Sequence, residues 1–310
     1  MFPIIPANSV AADSGNSEGI FGFGSGASPT AITNLVSDTG VVATDVAGVG
    51  GAVTNRSACE YGGDKGIFGY GDDTSGTNLV SNVGVVATDT AGVGTARRNP
   101  AACGYGGDKG IFGYGGYGFV VDWPALYSLT NLVSNTGVVG TDVAGVGTAR
   151  QYLAACEYGE DKGIFGYGWK YSGPPAGTWL SITNLVSNAG VVATDTAGVG
   201  TARTSLAACS YGGDKGIFGF GNTGGAGTGV STTNLVSNVG VVATNTAGVG
   251  SGRQLLSATQ YGGDKGIFGF GYISPTNHSM TNLVSNTGVV ASDTAGVGTT
   301  RRYPAACSFN

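Results

Sequence analysis

The chain has little of what most catalytic centres are built from. Its 310 residues include one histidine, His278, and only 11 % are charged. His278 lies in a variable loop beside no obvious nucleophile, and a lone loop histidine reads as a surface residue and not as a catalytic base. The five cysteines show no CxxC spacing, which leaves zinc without a ligand set. A net charge of −5 offers no basic face for phosphate, so nucleic acid is not the expected partner. No apolar run approaches the ~20 residues of a spanning helix, and membrane insertion is not expected. The start, Met1 to Val10, carries no basic residue and does not read as a secretory leader. GxG patterns are frequent but none opens a helix, so no nucleotide or other cofactor is expected.

What the chain has in excess is glycine, 60 of 310 residues, far above the usual ~7 %. Collagen is excluded because glycine does not recur at every third residue and there are only nine prolines. Disorder is excluded by an apolar share of 41 % with few charges to keep the chain solvated. Short strands joined by tight turns remain.

Those strands repeat. GIFG begins at Gly19, Gly66, Gly110, Gly163, Gly216 and Gly266, and TNLVS at Thr33, Thr77, Thr130, Thr183, Thr233 and Thr281. From each TNLVS to the next GIFG is 33 residues, whereas from GIFG to TNLVS the distance runs from 11 to 20. This period predicts an all-β chain, a six-bladed β-propeller of four-stranded antiparallel blades. In the third repeat, strand a is Pro100 to Tyr105, b is Gly110 to Tyr114, c is Thr130 to Ser134 and d is Val138 to Asp142. All length variation falls in the b–c connection, the pattern of a binding surface on a fixed scaffold, with neutral loop drift as the alternative.

The order of parts resembles the kelch repeat family: Arg150, the small-apolar strand Leu153 to Cys156, the aromatic strand Gly163 to Gly168, then Thr183 to Ser187. The resemblance covers about residues 18 to 309 and implies a propeller closed by a terminal strand. It departs from the family where Leu185 and Val191 to Thr194 replace an expected tyrosine and tryptophan. The GIFGYG and TNLVSNTG wording is also similar to repeats in predicted structural proteins of aquatic bacteriophages.

Strand a recurs six times, but its last copy, Ala305 to Cys307, has no strand b after it. The expectation is therefore that the C-terminal strand pairs into the first blade, removing an open edge. The rival first strand is Val10 to Asp13. Under the closure reading, residues 1–17 form an N-terminal arm and residues 18–310 the propeller. The arm, beginning Met1-Phe-Pro-Ile-Ile-Pro6, either docks to a partner or packs on its own ring.

Cys59, Cys103, Cys156, Cys209 and Cys307 occupy one point of strand a, with Thr259 in the sixth place. They read as small buried residues near a central channel, too far apart for disulfides, and free thiols imply a reducing compartment. Asp–Lys pairs such as Asp64-Lys65 in the a–b turns read as solvated turn charges. Asp45, Asp89, Asp142, Asp195 and Asp293, with Asn245, end strand d and read as acceptors of backbone hydrogen bonds in the following turn; calcium binding is the competing reading.

Reversal of direction at each strand puts the b–c loops and the d–a links on one face. Trp123, Tyr127, Trp169, Tyr171 and Trp179 fall in two of those loops, and all eight arginines, among them Arg98, Arg150 and Arg203, lie in or beside the links. These eight residues are the expected ligand-binding face, because tryptophan, tyrosine and arginine dominate binding hot spots and flat rings suit sugars. The alternative is that the long loops fold their aromatics into a local core. No enzyme is expected. The reading is a virion structural or receptor-binding protein, a fibre or tail component made in the host cytoplasm, recognising a host-surface glycan or protein. Other virion proteins would be met through the arm, and copies of the chain itself are a further partner. An intracellular, cytoplasmic kelch-like protein-interaction module is the alternative.

Overall fold

Each GIFG segment becomes the middle strand of an antiparallel sheet, because its Ile-Phe pair can bury on both faces while its glycines let neighbouring sheets close in. The computed structural model describes residues 16–118, 125–173, 177–224 and 229–310, and among these there is no helix. In chain order the strands are β1 (Glu18–Gly22), β2 (Thr33–Val36), β3 (Ser57–Tyr61), β4 (Lys65–Gly69), β5 (Thr77–Val80), β6 (Ala101–Tyr105), β7 (Lys109–Gly113), β8 (Gly116–Tyr117), β9 (Ala125–Leu126) and β10 (Thr130–Val133). The second half holds β11 (Ala154–Tyr158), β12 (Lys162–Tyr171), β13 (Gly177–Val186), β14 (Ala207–Tyr211), β15 (Lys215–Gly219), β16 (Thr233–Val236), β17 (Ser257–Tyr261), β18 (Lys265–Ile273), β19 (Thr276–Val284) and β20 (Ala305–Phe309).

They form six three-stranded sheets and one small ribbon, β8–β9. Five sheets take their strands in sequence order, the third with β8 and β9 between its last two strands. The sixth does not: its order is β20–β1–β2, so the C-terminal strand supplies the first strand of the first sheet. The register pairs Ile20 with Cys307 and Phe21 with Ala306. Val10 to Asp13, the rival strand, lies outside the described residues.

The first strands touch one another in the cyclic order β20, β3, β6, β11, β14, β17 and back to β20. The apolar core is likewise divided among the sheet–sheet junctions. One cluster joins Ile111 and Tyr114 of the third sheet to Phe165 and Val186 of the fourth, and another joins Ile267 and Phe270 of the sixth to Phe21 and Val36 of the first. Tilted and edge-on aromatic pairs repeat round the same circuit, from Phe23–Phe68 to Phe270–Phe21, with centroids 5.0–5.2 Å apart.

Two close approaches explain the glycines of GIFG. A Cβ on Gly166 would lie 2.7 Å from the ring of Phe218 in the next sheet, and one on Gly163 would lie 2.6 Å from the sulfur of Cys103 in the preceding one. The cysteine is thus a small filler opposite a glycine, and all five thiols are buried and unpaired.

The fourth strand differs from expectation. Segment 41–46 meets β2 only at the bridges Val36–Val42 and Thr33–Val46. It has three intervening residues against two on β2, so the outer strand is bulged. The buried Asn34 causes this, its amide donating to Ala43 O (3.0 Å) and Asp45 Oδ1 (2.9 Å) where a ladder bond would run. The units are therefore three regular strands with an irregular rim.

The arm boundary also shifts. Asn16 and Ser17 belong to the folded part: Ser17 N donates to Asn310 O and Gly262 N donates to Ser17 O, both at 2.8 Å. Residues 1–15 lie outside the described residues.

Candidate functional site: the hairpin face and the channel

Six arginines have a single structural task. Arg150 stands over the ring of Tyr114 in the third sheet at 4.2 Å, and donates to Asn184 Oδ1 of the fourth (2.8 Å) and to Tyr167 O (2.9 Å). Asn184 in turn donates to Asp195 (2.9 Å), which accepts from the backbone (3.1 Å) and hydroxyl (2.6 Å) of Thr148 in the preceding link. Partial burial pushes the Asp195 carboxyl up, but the bonds from Thr148 and Asn184 outweigh it and hold it below the ordinary carboxylate value. The aspartates thus bind the link that precedes them in space, not the turn that follows in sequence.

Arg97, Arg203, Arg253 and Arg301 stack in the same way on Tyr70, Tyr167, Phe220 and Phe270. Arg56 sits three places later in its link than the others, yet reaches Phe23 (4.2 Å) and Asn78 (2.7 Å). What the fold requires is a guanidinium at a point in space. Arg150 and Arg203 are fully buried, so the expected arginine-lined binding face is corrected at both. Their charge is spent on joining sheets. Arg98, 5 % exposed, is ion-paired with Asp73 and likewise belongs to loop structure.

The aromatic residues fare differently. In the fourth sheet β12 and β13 run on past the register shift at Gly166/Gly168 as a hairpin, and register puts Trp169 opposite Trp179 and Tyr171 opposite Gly177. Trp169, Tyr171 and Trp179 therefore share one face, with the Trp169 and Tyr171 rings 6.1 Å apart. Trp179 is the most open of the three, at 36 %. Trp169 exchanges backbone bonds with Gln151 (2.8 and 3.0 Å), which fixes the hairpin to the link at the channel mouth. In the third sheet Tyr127 is half-buried, its N donating to Gly115 O (2.9 Å), and Trp123 lies outside the described residues.

The first strands enclose a channel whose lining escaped the sequence reading. At the hairpin end, one residue per unit lines a cavity of about 80 Å³: Asn55, Asn99, Tyr152, Ser205, Leu255 and Tyr303. All six hold φ between 52° and 58°, a strained choice for side chains other than glycine or asparagine. Tyr152 and Tyr303 come from opposite units and their hydroxyls meet over the mouth. Burial, followed by the neighbouring phenol, pushes Tyr303 up to about 12.

The other end is a funnel of about 820 Å³. Glu60 and Glu157 meet at its floor over Gly104, where no side chain intervenes. Burial and then the Glu60 carboxylate push Glu157 well above the ordinary carboxyl value. Glu60 is held by Ser308 Oγ and by Asn16 Nδ2 (3.2 Å), so it ties Asn16 and β20 to the second unit. The rim carries the Asp–Lys pairs, adjacent residues in contact such as Asp108–Lys109 at 2.5 Å, with side chains near 40 % exposed. These are the solvated turn charges expected.

The signal for the channel was present in the sequence. The position of Glu60, flanked by near-identical residues, carries Gly104, Glu157, Ser210, Gln260 and Ser308 in the other units, and that of Asn55 carries Asn99, Tyr152, Ser205, Leu255 and Tyr303. No family model and no curated protein matches the chain. Among the described residues no group of three potential ligands could hold a metal ion, and no helix is long and apolar enough to cross a membrane.

Proposed function

We propose that the chain is a six-bladed β-propeller of kelch-like strand order that serves as a recognition scaffold, not an enzyme, in a virion structural or receptor-binding protein. The cyclic contact order of the first strands and the β20–β1 pairing support the propeller. One observation carries the recognition role: the paired strands β12 and β13 of the fourth unit set Trp169, Tyr171 and Trp179 on a single face. Aromatic faces of this kind stack against sugar rings, and a host-surface glycan is the ligand class we favour. The polarity of the molecule supports the reading. Asn16 lies at the funnel, opposite the hairpins, so an arm anchored to other virion proteins would leave the aromatic face outward. The competing kelch-like protein-interaction module would need the link arginines exposed to a partner, and Arg150 and Arg203 are buried.

A glycan array with the purified protein tests the proposal, together with Trp169→Ala and Trp179→Ala. Binding that both substitutions weaken at least ten-fold with melting unchanged is the expected result. No glycan bound, or binding indifferent to both, refutes the sugar reading. Six-fold class averages by electron microscopy test the propeller separately.

A further inference from the structure

The channel mouth beside the hairpins carries side chains that the repeat does not dictate. Its six residues share one left-handed backbone conformation but are of four kinds, two asparagines, two tyrosines, a serine and a leucine. The backbone conformation serves the scaffold, since Asn99 N, Ser205 N, Leu255 N and Tyr303 N donate to Asn55 O, Tyr152 O, Ser205 O and Leu255 O of neighbouring links (2.9–3.0 Å), whereas the side chains vary from unit to unit. They offer phenol hydroxyls, amides and a serine hydroxyl over a floor of Leu153, Leu206 and Leu256, the mixture of polar points and apolar surface that holds small ligands.

Beside Tyr303 stands Arg302. It lies 5.1 Å from the ring of Tyr272 and 5.8 Å from that of Tyr303. Arg98, at the equivalent place two units away, is paired with Asp73. Arg302 has no carboxylate within 4.0 Å and makes no side-chain hydrogen bond among the described residues, and its Nε is buried without a partner. A guanidinium that is fixed by aromatic rings and lacks a counter-charge is a receptor for an anion, with bidentate geometry suited to a carboxylate.

We infer that the mouth formed by Asn55, Asn99, Tyr152 and Tyr303 binds a carboxylated sugar, with Arg302 pairing the carboxylate and the tyrosine and asparagine groups meeting ring hydroxyls. The inference rests on the recognition role proposed above and assigns it a second, acidic subsite distinct from the tryptophan hairpin.

Calorimetric or saturation-transfer titration with glucuronate, N-acetylneuraminate and glucose tests it on the full chain. At least one acidic sugar is expected to bind ten-fold or more tighter than glucose. Arg302→Gln should abolish that preference, Arg302→Lys should retain part of it, and Trp179→Ala should leave it intact, each with melting unchanged. Equal binding of glucose, binding indifferent to Arg302→Gln, or no binding of either acid overturns the inference. Array binding that depends on Trp169 and Trp179 but not on Arg302 would overturn the subsite while leaving the recognition role standing.

Discussion

Replacing Arg150 by methionine removes one inter-sheet joint while keeping most of the side-chain volume. The arginine makes three hydrogen bonds, to Asn184 Oδ1, Tyr167 O and Thr148 O, at 2.8, 2.9 and 3.1 Å. Hydrogen bonds involving a charged group contribute about 1.5–3 kcal/mol each, and a desolvated cation over a ring about 2 kcal/mol. Against this stands the cost of burying a guanidinium, several kcal/mol. Methionine relieves that cost but leaves the buried Asn184 acceptor and Tyr167 carbonyl without their donors, at about 1–3 kcal/mol each. The balance is a loss of about 3 kcal/mol for Arg150→Met and, with a cavity added, about 4–5 kcal/mol for Arg150→Ala. At about 2.1 cal/mol/K per residue, unfolding some 300 residues changes entropy by about 0.6 kcal/mol/K, so Tm should fall by about 5 °C and 7 °C respectively. Calorimetry or far-ultraviolet dichroism reads this directly. Arg150→Lys should also lose stability, because an ammonium cannot lie flat on Tyr114 and reach both partners. An Arg150→Ala melting point within 1 °C of the parent would refute the joint.

Three further outcomes follow. The carboxyls of Asp45, Asp142, Asp195 and Asp293 are depressed in the fold; their contribution is present above the unfolded value of ~3.9 and is lost as pH falls through the folded values, so melting should decline below about pH 4. Asp195→Asn should reduce that decline at little cost near neutrality, since Asn245 already fills the same role by accepting from Thr201 N (3.1 Å). Glu157 is raised, so the unfolded chain loses its proton first and stability falls as pH rises above ~4.3; Glu157→Gln should therefore raise Tm at pH 7, and a lowered Tm would contradict the buried-acid reading. The five thiols are buried, with Cys209 pushed up to about 12 by desolvation; a thiol reagent should find none in the native protein and five after denaturation, and fast native labelling would contradict the packing against glycine.

Much of the fold could be read from the chain because each strand copies its neighbours. Six b strands, six c strands and an orphan C-terminal Ala305 to Cys307 led directly to the β20–β1 pairing. The bulged rim was not legible, because it depends on the Asn34 side chain replacing a ladder bond across nine residues. The arginines were misread for a different reason. Arginine is common in binding sites, but a residue recurring in every link, with an aromatic residue recurring in every b strand, is part of the repeat and therefore of the scaffold. Under the proposed recognition role, specificity lies where the copies differ, which points to the hairpin of Trp169 and Trp179 and to the mouth of Tyr152 and Tyr303.

Closure is the claim on which the rest depends. All five residues of β20 are buried, from Ala305 to Phe309, and the strand pairs along the whole of β1. Deleting Tyr303 to Asn310 and following unfolding by calorimetry is the most direct test. Closure predicts that the single cooperative transition is lost or lowered by well over 10 °C, because the first sheet loses a strand and its neighbours on both sides lose their contacts. A truncated chain that melts cooperatively at the parent temperature would contradict it.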